Sequence, residues 1–368
     1  LLDYKAEEIY GPQITDKDGA LLDEHDSFYL TTKSLLVLFQ IMGVMPIMRV
    51  PKDAQTTKRT TYNWISKATF WAYLVWGLES IIVIKVGKER FENFQNSSNK
   101  RFDEVIYNII FLSILIPHFL LPIASWRHGP QVAIFKNMWT HYQLKYLKIT
   151  GTPIIFPNLY SLTWGLCFFS WGLSFAVILS QYYLQDDFEL WHSFAYYHII
   201  AMLDGFCSLW YINCNAFGTA SKGLATNLHR ALEAEHPALK LAQYRFVLSP
   251  GRAYSNMYGI YCMVIFFTTT ISLYGVLSEV LERGLSYKEL GLFVIVGYCM
   301  TLLFIICNEA YHASRKNISF MSTYLIVLMQ FKLTLLRQSA RKAIKKIVRA
   351  IFNTTTTLAD DIDDEEEE

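Results

Sequence analysis

Apolar residues in this chain come in long runs separated by short polar stretches, and the run lengths set the expected architecture. Seven runs, near 65–86, 105–126, 159–184, 191–218, 256–280, 289–309 and 318–336, each reach the roughly 17–25 residues that a helix needs to cross a bilayer. An all-α membrane protein with seven transmembrane helices is therefore expected. A shorter run, Leu35 to Met48, contains Gly43 and Pro46 and is closed by Arg49 and Lys52. It is too short to span and reads as an interfacial or re-entrant helix. The chain then divides into an N-terminal segment (1–64), a seven-helix domain (65–336) and a tail (337–368).

Orientation follows from Lys and Arg in the flanks of the runs. Nineteen of them lie on the side of the N-terminus and six on the other, which places the N-terminus in the cytoplasm and the C-terminus outside. The sequon at Asn96 falls in the first loop, on the outer side, and is a weak candidate for glycosylation. The tail runs against this pattern, with seven Lys/Arg on the outer side. Its stretch Ala340 to Phe352 sets Ile344, Ile347, Val348 and Ile351 against Lys342, Lys345, Lys346 and Arg349, a basic amphipathic helix suited to a membrane surface or a partner. An acidic run closes the chain and reads as a solvated tail. The first residues, Leu-Leu-Asp, show no charged-then-apolar leader.

Composition narrows the function. Apolar residues are 52% and charged residues 18%, and a net charge of +1 leaves no basic field for nucleic acid. The six Cys all lie inside apolar runs, so neither a disulfide framework nor zinc spacing is expected. There is no phosphate loop, nucleophile elbow or His-Glu-x-x-His, and His192 with His198 is not a metal spacing. No cofactor, metal or catalytic residue is expected, and a receptor or channel is favoured over an enzyme or transporter.

The last run is patterned. At helical spacing Ser319, Thr323, Val327, Gln330, Phe331 and Thr334 share one side. Polar groups at membrane depth face protein or water, so this row is either a seam between helices or the lining of a conduit. Within it, Thr323 to Phe331, TYLIVLMQF, resembles the last-helix signature of insect gustatory receptors: Thr-Tyr, five apolar residues, Gln-Phe. The resemblance covers most of the chain from Leu35 onward, and Asn213 to Ala225, NCNAFGTASKGLA, is most similar to the sugar-sensing branch.

That resemblance implies a subunit of a homotetrameric, ligand-gated, non-selective cation channel in the plasma membrane of a sensory neuron, with or without related receptor subunits. Ser319, Thr323, Val327, Gln330 and Phe331 would then line the pore, with Val327 and Phe331 as apolar rings that exclude water and Gln330 as an amide ring. The chain departs from the family in having only HASRKN between Tyr311 and Ile318, where the family carries a long cytoplasmic helix that anchors the tetramer, and in its extended tail.

For a sugar ligand, the candidates are carboxylates, amides and aromatic faces in the outer half: Glu79, Tyr107, Asn108, Gln181, Tyr183, Trp191, His192, Tyr196, Tyr197, Asp204, Tyr274 and Glu279. Sugar C–H faces stack on Tyr or Trp, and paired hydroxyls donate to carboxylates. The competing reading of each aromatic is a belt at headgroup level, which leaves the intramembrane carboxylates unexplained. His118, between two prolines, reads as a packed core histidine. Two alternatives stand beside the sugar-gated channel: a non-conducting or engineered sugar-binding receptor, and an odorant-type receptor for a small hydrophobic ligand.

Overall fold

The computed structural model describes residues 26–51, 58–97, 102–185, 188–229, 250–283, 290–316 and 326. Helix α1 is Ser27–Ile41, strands β1 and β2 are Met48–Pro51 and Lys58–Thr61, and α2 is Lys67–Ser97. They are followed by α3 (Phe102–Thr150), α4 (Leu159–Leu184), α5 (His192–His229), α6 (Pro250–Arg283) and α7 (Leu290–Lys316). Helices α2, α3, α4, α6 and α7 contain stretches long and apolar enough to cross a membrane. Helices α2 to α7 overlie the first six apolar runs in order. Apart from residue 326, the seventh run and the tail lie outside the described residues, as does most of the chain preceding α1.

Helix α4 shows what solvent this fold expects. Its buried face carries Thr163, Ser170, Ser174 and Gln181, while Phe168, Phe169 and Phe175 are exposed. Polar groups inside and large apolar groups outside is the arrangement for lipid, where small polar residues let helices approach and bond. Ser170 and Ser208 meet across α4 and α5 at 3.2 Å. The centre belongs to α5, whose Ala195, Ile199, Met202, Phe206, Leu209, Ile212 and Ala216 recur at three- and four-residue spacing and are fully buried.

Helix α3 has 49 residues, about 73 Å at 1.5 Å per residue, more than twice the hydrocarbon thickness. Its C-terminal half therefore extends beyond the membrane, where it packs along α6. Pro117, Pro122 and Pro130 lie inside it, and each removes the backbone donor for the carbonyl four residues earlier. The carbonyl freed by Pro122, that of His118, accepts from Trp76 Nε1 on α2 at 3.2 Å, and the His118 ring bonds Ser80 at 2.9 Å. His118 is fully buried, packed as the sequence suggested.

The apolar stretch from Leu35 to Met48 is not one helix. Helix α1 starts eight residues earlier because Asp26 caps it, accepting from Tyr29 N at 3.2 Å, and because Thr32 bonds back to Phe28 O. It stops at Gly43, whose φ of +71° is unfavourable to other residues and whose Cβ position lies 3.1 Å from the Ala72 backbone. Three side chains from three helices bind its end: Trp71 to Ile41 O, His198 to Met42 O and Trp126 to Gly43 O, at 3.1–3.2 Å. The chain then returns, so that Arg49 pairs with Asp26 at 3.1 Å, and Asp26 also accepts from Thr140 and Gln143 of α3.

Among the described residues, the short antiparallel pair β1–β2 is the exception to an otherwise helical architecture. Its register aligns Met48 with Thr61 and Pro51 with Lys58. Asn137 of α3 stands in for a third strand, accepting from Thr60 N and donating to Thr60 O, both at 2.9 Å.

Candidate ligand-binding site

Five helices leave a cavity between them. Phe111, Ile114 and Pro117 of α3 face Val177, Ile178 and Gln181 of α4, and Phe188 of the following loop closes one side. Tyr196, Ile200 and Leu203 of α5, Val264, Ile265 and Thr268 of α6, and Ile295, Tyr298 and Cys299 of α7 complete the wall. Local sequence explains the position. Pro117 breaks the α3 ladder here, and Gly291 at the start of α7 lets α4 come close: a Cβ there would sit 2.5 Å from Gln185 Nε2. The walls enclose about 510 Å³, counting space open to solvent, so the closed part is narrow and suits a small ligand.

The polar groups of the wall are few. Gln181, 2% exposed, donates from Nε2 to Gly291 O at 3.0 Å, and its Oε1 accepts no hydrogen bond among the described residues. Tyr196 O–H lies 3.4 Å from Phe111 O. Tyr298 donates to Asp204 Oδ1 at 2.8 Å, and Ser174 donates to Asp204 Oδ2 at 3.0 Å. Asp204 is thus buried just behind the wall, tying α4, α5 and α7 together with both oxygens occupied.

The residues expected to bind ligand separate into groups. Gln181 and Tyr196 line the cavity, and Asp204 supports it through Tyr298. Tyr107, Asn108, Trp191 and His192 form an outer rim with protein partners of their own. The Tyr107 ring lies 4.7 Å from that of Phe111. His192 Nε2 is 3.2 Å from Glu89, its Nδ1 accepts from Glu189 N, and Trp191 donates to Glu189 at 2.6 Å. Asn108 is buried and Tyr197 half-buried beside this rim.

Tyr183 and Tyr274 are 76% and 61% exposed and point away from the cavity. Tyr183 lies two positions beyond Gln181, about 200° round the helix, so both cannot face inward. Glu79 is half-buried on α2, which contributes nothing to the cavity wall, and Asn96 is exposed near the end of α2. The side chain of Glu279 and the pore candidates Ser319, Thr323, Val327, Gln330 and Phe331 lie outside the described residues. The sequence did not single out Phe111, Ile178, Ile200, Ile265 or Ile295, because an apolar wall has the same pattern as a packed core. Tyr298 carried a usable signal, a phenol on a span otherwise poor in polar groups.

Known proteins fit this architecture. A family model described as 7tm Chemosensory receptor matches residues 32–321. The chain is 55% identical over 403 positions to gustatory and odorant receptor 22 of Anopheles gambiae, an alignment covering 93% of this chain and 86% of that protein. It is 54% identical over 391 positions to gustatory and odorant receptor 21a of Drosophila melanogaster, covering 89% and 86%. To gustatory and odorant receptor 24 of Anopheles gambiae it is 24% identical over 331 positions, covering 82% and 67%. Because 403 and 391 positions both exceed 368 residues, the first two relatives carry residues inside the matched stretch that this chain lacks. The relatives are receptors and not enzymes, and the helices expose apolar faces to lipid. The chain belongs to the 7tm chemosensory receptor family and is a multi-pass plasma-membrane receptor.

Proposed function

We propose that this chemoreceptor is a subunit of a ligand-gated cation channel that responds to a small, largely apolar molecule bound in the outer-half cavity. The observation that carries the ligand reading is the cavity itself: narrow, walled by aliphatic and aromatic side chains, and supplied with very few uncommitted polar atoms. A sugar has a hydroxyl on nearly every carbon, and leaving most of them unpaired on an apolar wall would cost more than stacking returns. The carboxylates that the sugar reading relied on support it weakly. Asp204 is engaged by Tyr298 and Ser174, and Glu79 lies on a helix away from the wall. Between the sugar-gated and the odorant-type readings, the geometry favours the second.

The channel part of the reading rests on the resemblance of TYLIVLMQF to a pore-lining helix. In it, four copies surround an axis, Val327 and Phe331 exclude water, and Gln330 contacts the permeating cations. Ligand opens the pore only if it binds the open form more tightly. The test is a current from cells expressing the full chain, alone and with related receptor subunits, challenged with neutral molecules of two to five heavy atoms and with monosaccharides. A conductance evoked by the small molecules and not by the sugars is expected. A response to sugars alone would overturn the ligand reading. Binding to a purified monomer, with no current under either condition, would overturn the channel.

A further inference from the structure

We propose that Phe188 sets the length of ligand that the cavity accepts, and that His192 is the positioning residue that holds Phe188 in place. This rests on the cavity being the ligand site. Every other wall residue lies on a helix, where the backbone ladder fixes the direction of its side chain, whereas Phe188 lies on the turn before α5. Its place is therefore set by the anchoring of the turn and by the side chains around it. The ring is 4% exposed and lies 5.6 Å from the ring of Tyr196 and 6.1 Å from that of Phe111, both of the wall, so it closes the cavity between α3 and α5.

His192 anchors the turn. Three residues after Glu189, it occupies the position from which a Glu or Gln caps a helix by reaching back to a backbone N–H. Here the imidazole does so: Nδ1 accepts from Glu189 N at 3.1 Å, while His192 N donates to Glu189 O at 3.0 Å. An accepting Nδ1 carries no proton, so the proton of the neutral ring is on Nε2, which stands 3.2 Å from Glu89 of α2. The same ring meets Phe188 at a steep angle, 76°, with centroids 5.7 Å apart. Arg90, the residue after Glu89, is 1% exposed and places its guanidinium 3.5 Å from Nδ1 of His192 and 5.1 Å from the Phe111 ring. Helix α2, which contributes nothing to the wall, thus braces both aromatic residues that close it.

Straight-chain primary alcohols of three to eight carbons serve as probes. Apparent affinities are read from shifts in the unfolding temperature of the purified full chain, each variant against its own baseline and each alcohol at one concentration throughout, so that uptake by the detergent cancels. Each added methylene that stays within apolar walls gains about fourfold in affinity, and in the unaltered chain this gain is expected to stop at a short alcohol. Phe188→Ala should move the stop up by about two carbons, since the neighbouring side chains relax only partly into the space, and Phe188→Leu, which disturbs folding less, by about one. His192→Leu lacks the acceptor and should move the stop in the same direction, whereas His192→Asn, whose Oδ1 falls near the place of Nδ1, should leave it unchanged. A stop at the same alcohol in both Phe188 variants as in the unaltered chain would overturn the inference and leave the cavity reading standing. A stop that moves with Phe188 but not with His192→Leu, or that moves equally in His192→Asn, would overturn the part given to His192. No shift with any alcohol in any of these chains would remove the cavity as the ligand site and this inference with it.

Discussion

Tyr298→Phe tests whether Asp204 holds the helix bundle together behind the cavity. The change removes one oxygen, the donor to Asp204 Oδ1 at 2.8 Å, and keeps the ring that forms the wall. Hydrogen bonds to charged acceptors are worth about 1.5–3 kcal/mol in soluble proteins, whereas those between membrane helices average about 0.6 and reach about 1.7. Ser174 remains as a second donor to the carboxyl group, so Asp204 is not stripped bare. A loss of about 1–2 kcal/mol follows, a factor of about 5–30 in the unfolding equilibrium. The assay is reversible unfolding in mixed detergent micelles, run as a double-mutant cycle with Asp204→Asn. A coupling energy of about 1 kcal/mol is expected, with Tyr274→Phe, on an exposed ring, as a control near zero. If Tyr298→Phe and Asp204→Asn add within about 0.3–0.5 kcal/mol, the two residues do not act on each other and the reasoning fails.

Three other outcomes follow from the geometry. Gly43→Ala forces a side chain into a left-handed conformation beside the Ala72 backbone and should destabilise the protein by about 2–4 kcal/mol, while Gly297→Ala, with open space around it, should be neutral; unfolding temperatures decide between them. Trp76→Phe orphans the carbonyl of His118 and should cost about 1–2 kcal/mol; adding Pro122→Ala restores a backbone donor to that carbonyl and should recover most of the loss, and no recovery in the same unfolding assay would show that the Trp76 bond is not what Pro122 requires. Arg49→Met breaks a buried ion pair and should loosen the return of the chain to Asp26, by about 2–4 kcal/mol locally, seen as faster limited proteolysis between residues 42 and 64.

The six helices from α2 to α7 were legible because length and apolarity suffice to demand a spanning helix, and no tertiary contact has to be known. The ends of α1 were not legible. They depend on Asp26 finding Tyr29 N and on Gly43 passing close to Ala72, and the apolar run suggested a helix eight residues too late. The strands β1 and β2 were hidden by Arg49, Lys58 and Arg59, which read as charges flanking a span, and they pair with help from Asn137, 77 residues from Thr60. At the site, Asp204 stood out because a carboxylate in an apolar run must face inward, and Gln181 and Tyr196 because an amide and an aromatic face suit a sugar. Tyr183 and Tyr274 stood out as aromatic faces too, but are exposed on the outside of the bundle, where a phenol can reach the headgroups.

The unbroken length of α3 makes it a lever. Pro117 lies in the cavity wall and Gln143 holds the cap of α1, 26 residues further along the same helix, or about 39 Å at 1.5 Å per residue. A tilt of about 3° about the proline-weakened region moves the far end by about 2 Å, enough to strain the Asp26 cluster and the strand pair docked on Asn137. On the proposed function, a ligand that tilts α3 at the cavity wall is expected to produce a larger displacement at the Asp26 cluster than at the wall itself.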